Sequence, residues 1–229
     1  MLTFYYSGAP NPTKVALMLE ETGLAYEPVP IDTRRGQQHA PEFLKLNPNA
    51  KVPVVVDGDI VVFDSNAILL YLGEKTGQFM PPETAAARGE MLSWMLFVAS
   101  GVGPYCGQAV HFQHHAPEKL PYAINRYVFE AERHFGILDR RVSGQRYMLG
   151  DDYGVVDMAV WGWSRMLPLV LGEDAFAQYP HLKRFTDEVS ARPAAQRAAA
   201  LKDRHPFKTE MDDEARRAMF PQNERLKAS

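Results

Sequence analysis

The stretch that decides the fold runs from residue 47 to residue 72 and reads NPNAKVPVVVDGDIVVFDSNAILLYL. Its first half contains two short runs of mostly β-branched residues, 54–56 and 60–63, separated by Asp57-Gly58-Asp59. Glycine beside aspartate between such runs is typical of a tight turn, so this half predicts a β-hairpin. An apolar run with good helix formers follows Asp64-Ser65 and predicts a helix that begins there.

Two residues in this stretch allow both a structural and a chemical interpretation. A cis peptide bond at Pro53 would turn the backbone of Val52 outward, but only about one X-Pro bond in twenty is cis in folded proteins. Ser65 stands at a helix start, where N–H groups and the helix dipole favour an anion, yet capping is the usual role of an Asp-Ser pair there. Taken singly, each residue favours the structural role, and only the order strand, turn, strand, helix makes the pattern specific.

With that order included, the stretch resembles the second half of the glutathione-binding domain of glutathione transferases, which has a thioredoxin-like fold. In that family the Val-Pro pair carries a cis proline, and an acidic residue followed by serine holds the γ-glutamyl end of glutathione. The resemblance therefore implies a cis bond before Pro53 and a glutathione site that includes Val52, Asp64 and Ser65.

The residues before this stretch complete the pattern of such a domain. Strands are predicted at residues 2–6 and 26–31, the second at a sheet edge because it contains two prolines. Helices are predicted at residues 13–21 and 41–46. The resulting order β-α-β-α-β-β-α is the thioredoxin-like arrangement and defines an N-terminal α/β domain over residues 1–77.

After the hairpin and its helix, the strand signals disappear. Residues 76–82 contain a glycine and two prolines and form the predicted linker. Beyond it the apolar spacing predicts only helices, at residues 84–110 (with a bend near 101–104), 120–142, 155–171, 182–191 and 194–201. The second domain, residues 83–229, is therefore predicted to be an all-helical bundle. The charged tail beyond Arg204 has no predicted role.

Segments of the second domain make the resemblance narrower. Residues 103–108, His111-Phe112 and residues 121–127 look like the bacterial nu-class, disulfide-bond-reductase-type transferases and their relatives similar to the yeast nitrogen-regulatory prion protein. The segment Gly154-Val155-Val156-Asp157 is similar to the family's helix-capping segment, with Gly154 in place of serine or threonine. We expect this replacement to weaken the cap by a few tenths to about 1 kcal/mol.

Composition excludes several classes of function. A net charge of −3 gives no reason to propose nucleic acid or an anionic membrane as a partner. No apolar run approaches the roughly 18 residues of a membrane span, and no secretory signal pattern is visible. A single cysteine, Cys106, offers no disulfide partner and no Cys-x-x-Cys pair, so we expect a reducing, cytoplasmic setting. The adjacent His114 and His115 lack metal-ligand spacing, so no metal is expected.

The reactive group in the resembling family is the glutathione thiol, whose thiolate is the nucleophile. Lowering a thiol pKa by two units requires about 2.7 kcal/mol, which one or two donors at a helix N-terminus can supply. The family places these donors in the loop that corresponds to residues 7–13, in a nu-class Thr-Pro-Asn pattern that here reads Ala9-Pro10-Asn11. Asn11 is therefore the expected principal donor, with Ser7 or Tyr6 assisting. Of Tyr5 and Tyr6, one is expected to point into the core.

The same resemblance implies the remaining glutathione contacts. The backbone of Val52 would pair with the cysteinyl part, and Asp64, shorter than the usual glutamate, would accept the γ-glutamyl ammonium. Gln38 and Lys51 are implied for the glycyl carboxylate, and Arg126 for the glutathione cleft. Each of these three is about equally consistent with an ordinary exposed polar residue.

The resemblance thus implies a homodimeric, glutathione-dependent transferase or oxidoreductase. Disulfide-bond reduction would proceed through glutathione itself, because the chain has no dithiol. Conjugation of glutathione to small electrophiles and reduction of peroxides are alternatives that use the same thiolate. A non-catalytic glutathione-binding module is a further alternative, which the missing hydroxyl at Ala9 supports. The second substrate is left unnamed; the resemblance places it near Tyr105 and Phe112.

Overall fold

The computed structural model describes residues 1–227, which divide into two compact units. Of the described residues, the first unit comprises 1–68 and 197–227, and the second comprises 69–196. The domain boundaries at residues 77 and 83 stay a sequence-based prediction. Within residues 1–227, no helix is long and apolar enough to cross a membrane.

The first unit contains a four-stranded mixed sheet. Its strands are β1 (Leu2–Tyr6), β2 (Tyr26–Pro30), β3 (Val54–Asp57) and β4 (Ile60–Phe63). The strand order is β2-β1-β3-β4, in which β1 runs parallel to β2 and antiparallel to β3, and β3 and β4 form the hairpin. The predictions of the hairpin and of an edge position for the proline-containing strand are confirmed. The thioredoxin-like arrangement of this part of the chain is confirmed with them.

Three helices accompany the sheet: α1 (Pro10–Thr22), α2 (Pro41–Leu46) and α3 (Ser65–Thr76). Helix α1 begins three residues before its predicted start. Its early residues include Pro10 and Pro12, which indicate a loop in the sequence but are tolerated in a first helical turn, where the N–H has no helical partner. The helix ends at Gly23, whose φ of 68° is one that glycine adopts at little energetic cost.

The C-terminal part of the first unit is more regular than its charged sequence suggests. Helix α10 (Pro193–Ala200) leads through a 3₁₀ turn at Leu201–Arg204 to α11 (Asp213–Met219) and a final 3₁₀ segment at Pro221–Lys227. Helix α11 begins because the Asp212 side chain accepts a hydrogen bond from the Ala215 amide at 2.8 Å. This helix was not predicted, since only three of its seven residues are apolar.

The second unit is helical, as predicted. Its further helices are α4 (Ala85–Phe97), α5 (Gly103–Val110), α6 (Pro121–Arg141), α7 (Val155–Ser164), α8 (Leu167–Leu171) and α9 (Pro180–Ser190). The predicted helix 84–110 is α4 and α5 joined by a π-helical turn at Val98–Val102, and a second such turn follows at His111–His115. The predicted helix 155–171 is divided between α7 and α8. Pro168 explains the division, because proline lacks the N–H that a continuous helix would use.

The π-helical turn before α5 surrounds a close contact between Gly101 and His134. A Cβ atom at residue 101 would clash with the His134 Nε2 atom. The imidazole cannot move away easily, because it is buried and its Nδ1 atom lies 2.6 Å from the Glu130 carbonyl oxygen. Glycine is therefore required here by space, and the predicted bend coincides with this contact.

A close contact also explains Gly154 at the start of α7. A Cβ atom at residue 154 would lie 2.9 Å from the Phe79 carbonyl oxygen. Asp157 still accepts from the Gly154 amide at 2.8 Å and also from the Met148 amide at 2.7 Å. The missing hydroxyl thus reflects a steric limit, while the carboxylate half of the cap is kept.

We predict that Gly101→Ala destabilises the protein by about 1–3 kcal/mol, because the added methyl group forces the His134 ring or the π-helical turn to move. Gly89→Ala in α4 is the matched control, since nothing lies within 4 Å of a Cβ atom there. The control should be neutral or stabilise by about 0.4–1 kcal/mol. Urea denaturation followed by circular dichroism measures both variants, and equal stability of the two would contradict the steric explanation.

Candidate functional site

The first turn of α1 is poor in backbone N–H donors, because two of its first three residues are prolines. Ala9 is the N-cap in an extended conformation, with φ −71° and ψ 160°, and its side chain makes no capping bond. Pro10 and Pro12 have no N–H, so Asn11 holds the only backbone N–H among the first three helical positions. Thr13 bonds back to the Ala9 carbonyl through both its amide, at 3.2 Å, and its hydroxyl, at 2.9 Å. The positive end of the helix is therefore concentrated at Asn11.

The two proposed assistants of Asn11 lie in different surroundings. Ser7 is buried, and its hydroxyl oxygen lies 3.4 Å from the Ala9 amide that donates to it. Tyr6 points into the interior: its hydroxyl donates to the Leu201 carbonyl at 3.0 Å and lies 2.5 Å from His205 Nδ1. Burial raises the pKa of the Tyr6 hydroxyl. These contacts favour a packing role for Tyr6 and leave Ser7 beside the helix start.

The peptide bond between Val52 and Pro53 is cis, as the family resemblance implies. Strand β3 begins only at Val54, opposite Tyr5 of β1. Among residues 1–227, neither the amide nor the carbonyl of Val52 has a hydrogen-bond partner. The sheet therefore ends in one residue of backbone that can pair with an extended peptide.

Asn47 fixes the loop that leads to Val52. Its side chain is buried and donates from Nδ2 to the Lys51 carbonyl at 2.6 Å, while its Oδ1 accepts from the Asn49 amide at 3.0 Å. Asn47 also accepts from the Ala50 amide through its own carbonyl at 3.0 Å. No role was predicted for Asn47, although an Asn-Pro-Asn turn signal precedes the strand.

Asp64 and Ser65 stand at the start of α3, as predicted. Asp64 adopts a φ of 70°, and its Oδ1 accepts from the amides of Asn66, at 2.9 Å, and Ala67, at 3.1 Å. Aspartate tolerates this conformation because its short side chain can bond locally. Its Oδ2 makes no hydrogen bond within the described part of the chain. One carboxylate oxygen therefore caps the helix, and the other is open to a cationic ligand group beside the buried Ser65.

The remaining candidates have different degrees of exposure. Lys51 is exposed. Gln38 is only 5% exposed, and its Nε2 donates to the Ala218 carbonyl at 3.2 Å. Arg126 belongs to α6 in the second unit, where it forms an ion pair with Glu130 at 2.6 Å. The structure thus brings Asn11, Ser7, Val52, Asp64 and Ser65 into the unit that contains the sheet, and the roles of all these residues stay predictions.

Comparison with known proteins identifies the family. The N-terminal domain of glutathione S-transferases matches residues 2–74, and the C-terminal domain matches residues 111–193. The disulfide-bond oxidoreductase YfcG of Escherichia coli is 37% identical over 205 residues, covering 86% of this chain and 94% of the relative. The chain belongs to the glutathione S-transferase family.

Two further relatives agree with this assignment. The disulfide-bond oxidoreductase YghU of Escherichia coli is 39% identical over 212 residues, which cover 86% of this chain and 73% of the relative. A glutathione transferase from Burkholderia graminis, whose crystal structure holds two glutathione molecules per subunit, is 37% identical. It superposes with a TM-score of 0.82 over 89% of each chain. The narrower resemblance to disulfide-bond-reductase-type transferases is thereby confirmed.

The chain's own thiol is unsuited to redox chemistry. Cys106 is fully buried, and burial raises the pKa of its thiol. Because the thiolate is the reactive form, a reaction at sulfur has to use the thiol of a bound molecule. Within residues 1–227, no group of three or more histidine, cysteine, aspartate or glutamate side chains could hold a metal ion.

Sequence reasoning also missed a buried lysine that bonds to the first turn of α3. Lys14 on α1 is 1% exposed, and its Nζ donates to Asn66 Oδ1 at 2.8 Å. Burial lowers the pKa of Lys14 to about 7, while the Asp64 carboxylate raises it in part. The signal was present, because Lys14 lies four residues before Met18 and so falls on the apolar face of α1.

We predict that Lys14 makes the stability of the protein depend on pH. The pKa of Lys14 falls from 10.5 in the unfolded chain to about 7 in the folded protein, so between these values the unfolded state binds more protons. The free energy of unfolding then rises with pH in this window. Lys14→Met removes the titrating group, so the stability difference, wild type minus variant, should increase between about pH 7 and pH 10.

Urea denaturation of both proteins across this pH range measures the difference. Lys45→Met, at an exposed lysine of α2, is the control, and its difference from wild type should not change with pH in this way. A constant difference for Lys14→Met would show that Lys14 does not lose its proton in the folded protein.

Proposed function

We propose that the chain binds glutathione and uses its thiolate to reduce disulfide bonds. The observation that supports this proposal most strongly is the unpartnered backbone of Val52 at the end of the sheet. An extended cysteinyl residue can pair with it as a short additional strand. Further support comes from the similarity to proteins named disulfide-bond oxidoreductases and to a transferase with bound glutathione.

Each end of glutathione would be held by charge. The γ-glutamyl carboxylate would accept from Ser65 at the N-terminus of α3, where the helix dipole favours an anion. The γ-glutamyl ammonium would bind the open Oδ2 atom of Asp64. Gln38 and Lys51 would hold the glycyl carboxylate. Arg126 stays a proposed glutathione contact on family resemblance alone.

The cysteinyl sulfur would lie at the N-terminus of α1. Asn11 carries a backbone N–H and a side-chain amide, and Ser7 carries a hydroxyl; these are the groups that would donate to the sulfur. Hydrogen bonds to a charged group contribute about 1.5–3 kcal/mol each, which matches the roughly 2.7 kcal/mol needed to lower a thiol pKa by two units. Tyr6 would act by packing, because its hydroxyl is occupied by Leu201 and His205.

The reaction would be two thiol–disulfide exchanges. The glutathione thiolate attacks one sulfur of the substrate disulfide, which forms a mixed disulfide and expels the other sulfur as a thiolate. A second glutathione thiolate attacks the glutathionyl sulfur, so that glutathione disulfide forms and the second substrate thiol leaves. Two electrons pass from two glutathione molecules to the substrate, and no protein cysteine takes part.

Other outcomes use the same site. A glutathione thiolate could also be conjugated to a small electrophile or could reduce a peroxide. A non-catalytic glutathione-binding module is favoured by one feature, Ala9, which removes a hydroxyl from the sulfur side. Relative rates with a mixed disulfide and with an aryl halide separate reduction from conjugation, and turnover of the aryl halide alone would exclude disulfide reduction.

A homodimer is part of the proposal. Strand β4 is an edge of the sheet, and its side chains Ile60, Val61 and Phe63 are 50%, 42% and 43% exposed. A row of exposed apolar side chains on an edge strand favours coverage by another surface. We also propose a cytoplasmic location, since disulfide reduction by glutathione requires a reducing compartment.

We predict that Asn11→Ala lowers kcat/KM for a glutathione mixed disulfide by about 10- to 100-fold, because one donor to the thiolate is lost. The pKa of the bound glutathione thiol should rise by about one to two units. Thiolate absorbance in the ultraviolet, titrated against pH in the enzyme–glutathione complex, measures that pKa directly.

Asn125→Ala is the matched control, since Asn125 is an exposed asparagine on α6. It should leave both quantities within about twofold. Unchanged turnover and an unchanged thiol pKa in Asn11→Ala would remove Asn11 from the mechanism. Glutathione binding without turnover in the wild type would favour the binding module.

A further inference from the structure

The C-terminal segment of residues 208–220, here called the strap, is fastened to the first unit by specific hydrogen bonds. The Lys208 amide donates to Asp32 Oδ2 at 2.8 Å. Arg34 Nη1 donates to the carbonyls of Lys208 and Thr209 at 2.8 and 2.9 Å. The same guanidinium therefore bonds to two consecutive carbonyls. These bonds fix the position of the first residues of the strap, here called its entry.

Helix α11 forms the middle of the strap and packs against the 3₁₀ turns at residues 33–35 and 37–39. Ala215 is fully buried. The Ala218 side chain lies 3.5 Å from the position of a Cβ atom at Gly36, where φ is 76°. Lys208 pairs with Asp212 at 3.0 Å and with Glu214 at 2.6 Å, which fastens the entry to the helix.

The strap covers Gln38 and uses its donor. Gln38 Nε2 donates to the Ala218 carbonyl, and the residue is 5% exposed. Its Oε1 is buried and has no partner among the described residues. His39 makes a second contact with the same carbonyl, from Nε2 at 3.2 Å. An amide can bind a carboxylate only by donating an N–H, and the strap takes one of the two N–H donors of Gln38, a residue that is almost fully buried.

We propose that the strap is a lid over the glycyl end of the glutathione site, and that the Ala218 carbonyl competes with the glycyl carboxylate for Gln38. This proposal rests on the proposed function, because it takes glutathione as the ligand. Binding of the glycyl end displaces α11 from the turns at residues 33–39. Displacement frees the Gln38 N–H that is bonded to Ala218, and the charged glycyl carboxylate replaces a neutral carbonyl as its acceptor.

The competition lowers the apparent affinity for glutathione. When only a fraction of molecules is competent to bind, the apparent Kd is the intrinsic Kd divided by that fraction. Loosening the strap raises the fraction and tightens binding. Linkage requires the reverse effect as well, so bound glutathione loosens the strap.

The test compares glutathione with γ-glutamylcysteine, which lacks the glycine. Calorimetric titrations use the wild type, Arg34→Ala, which removes the clamp on the strap's entry, and Asp212→Ala, which removes the cap of α11. Arg217→Ala is the control, since Arg217 is an exposed residue of the strap. We expect the Kd for glutathione to fall at least about threefold in the first two variants and to stay unchanged in the control. The Kd for γ-glutamylcysteine should not change in any of them.

Hydrogen exchange of the wild type provides a measurement that needs no variant. The amides of Ala215, Arg216 and Phe220 are hydrogen-bonded within the strap. They should exchange faster with saturating glutathione than with saturating γ-glutamylcysteine. Unchanged or weaker glutathione binding in both variants, equal gains for the two ligands, or slower exchange with glutathione would each overturn the lid. If the wild type binds neither thiol, the proposed function fails and the lid fails with it; if it binds both but shows none of the differences, the lid alone is wrong.

Discussion

An unpaired piece of backbone at Val52 is the constraint on which the candidate site depends. The sheet could have continued to this residue, but β3 begins only at Val54 after the cis peptide bond. Asn47 holds the preceding loop with bonds from both ends of its amide, so the Val52 groups keep one position. Because a buried or half-buried backbone N–H and C=O need partners, this position favours a ligand that is itself a peptide.

Charge then decides which peptide fits. Helices α1 and α3 both begin in the unit that carries Val52, and each N-terminus favours negative charge. Asp64 adds one acceptor for a cation and also caps α3, so a single carboxylate has a structural and a binding use. Lys14 is buried beside the start of α3 and donates to Asn66. A peptide with a free amino-acid group at one end and a thiol in the middle matches this arrangement of donors and acceptors.

Much of the fold could be predicted because its signals are local. The hairpin follows from Gly58 between β-branched runs, and α2 has the predicted bounds because a proline precedes a short apolar run. The errors have specific physical causes. Prolines at the start of α1 indicate a loop in the sequence, and the π-helical turn at Gly101 depends on a histidine 33 positions later in the sequence. The candidate glutathione residues came from family resemblance, whereas Lys14, Asn47 and the strap required tertiary contacts that no short pattern contains.

The central claim is that a γ-glutamyl peptide pairs with Val52 between the two helix ends. It is tested most directly by calorimetric titration of the wild-type protein with glutathione and, for comparison, with the dipeptide Cys-Gly. Cys-Gly keeps the backbone and the thiol but lacks the group that would bind Asp64 and Ser65. The structure predicts saturable binding of glutathione and at least about tenfold weaker binding of Cys-Gly, which corresponds to a loss of about 1.4 kcal/mol. Absence of saturable heat with glutathione, or equal affinity for the two peptides, would contradict the assignment of the site.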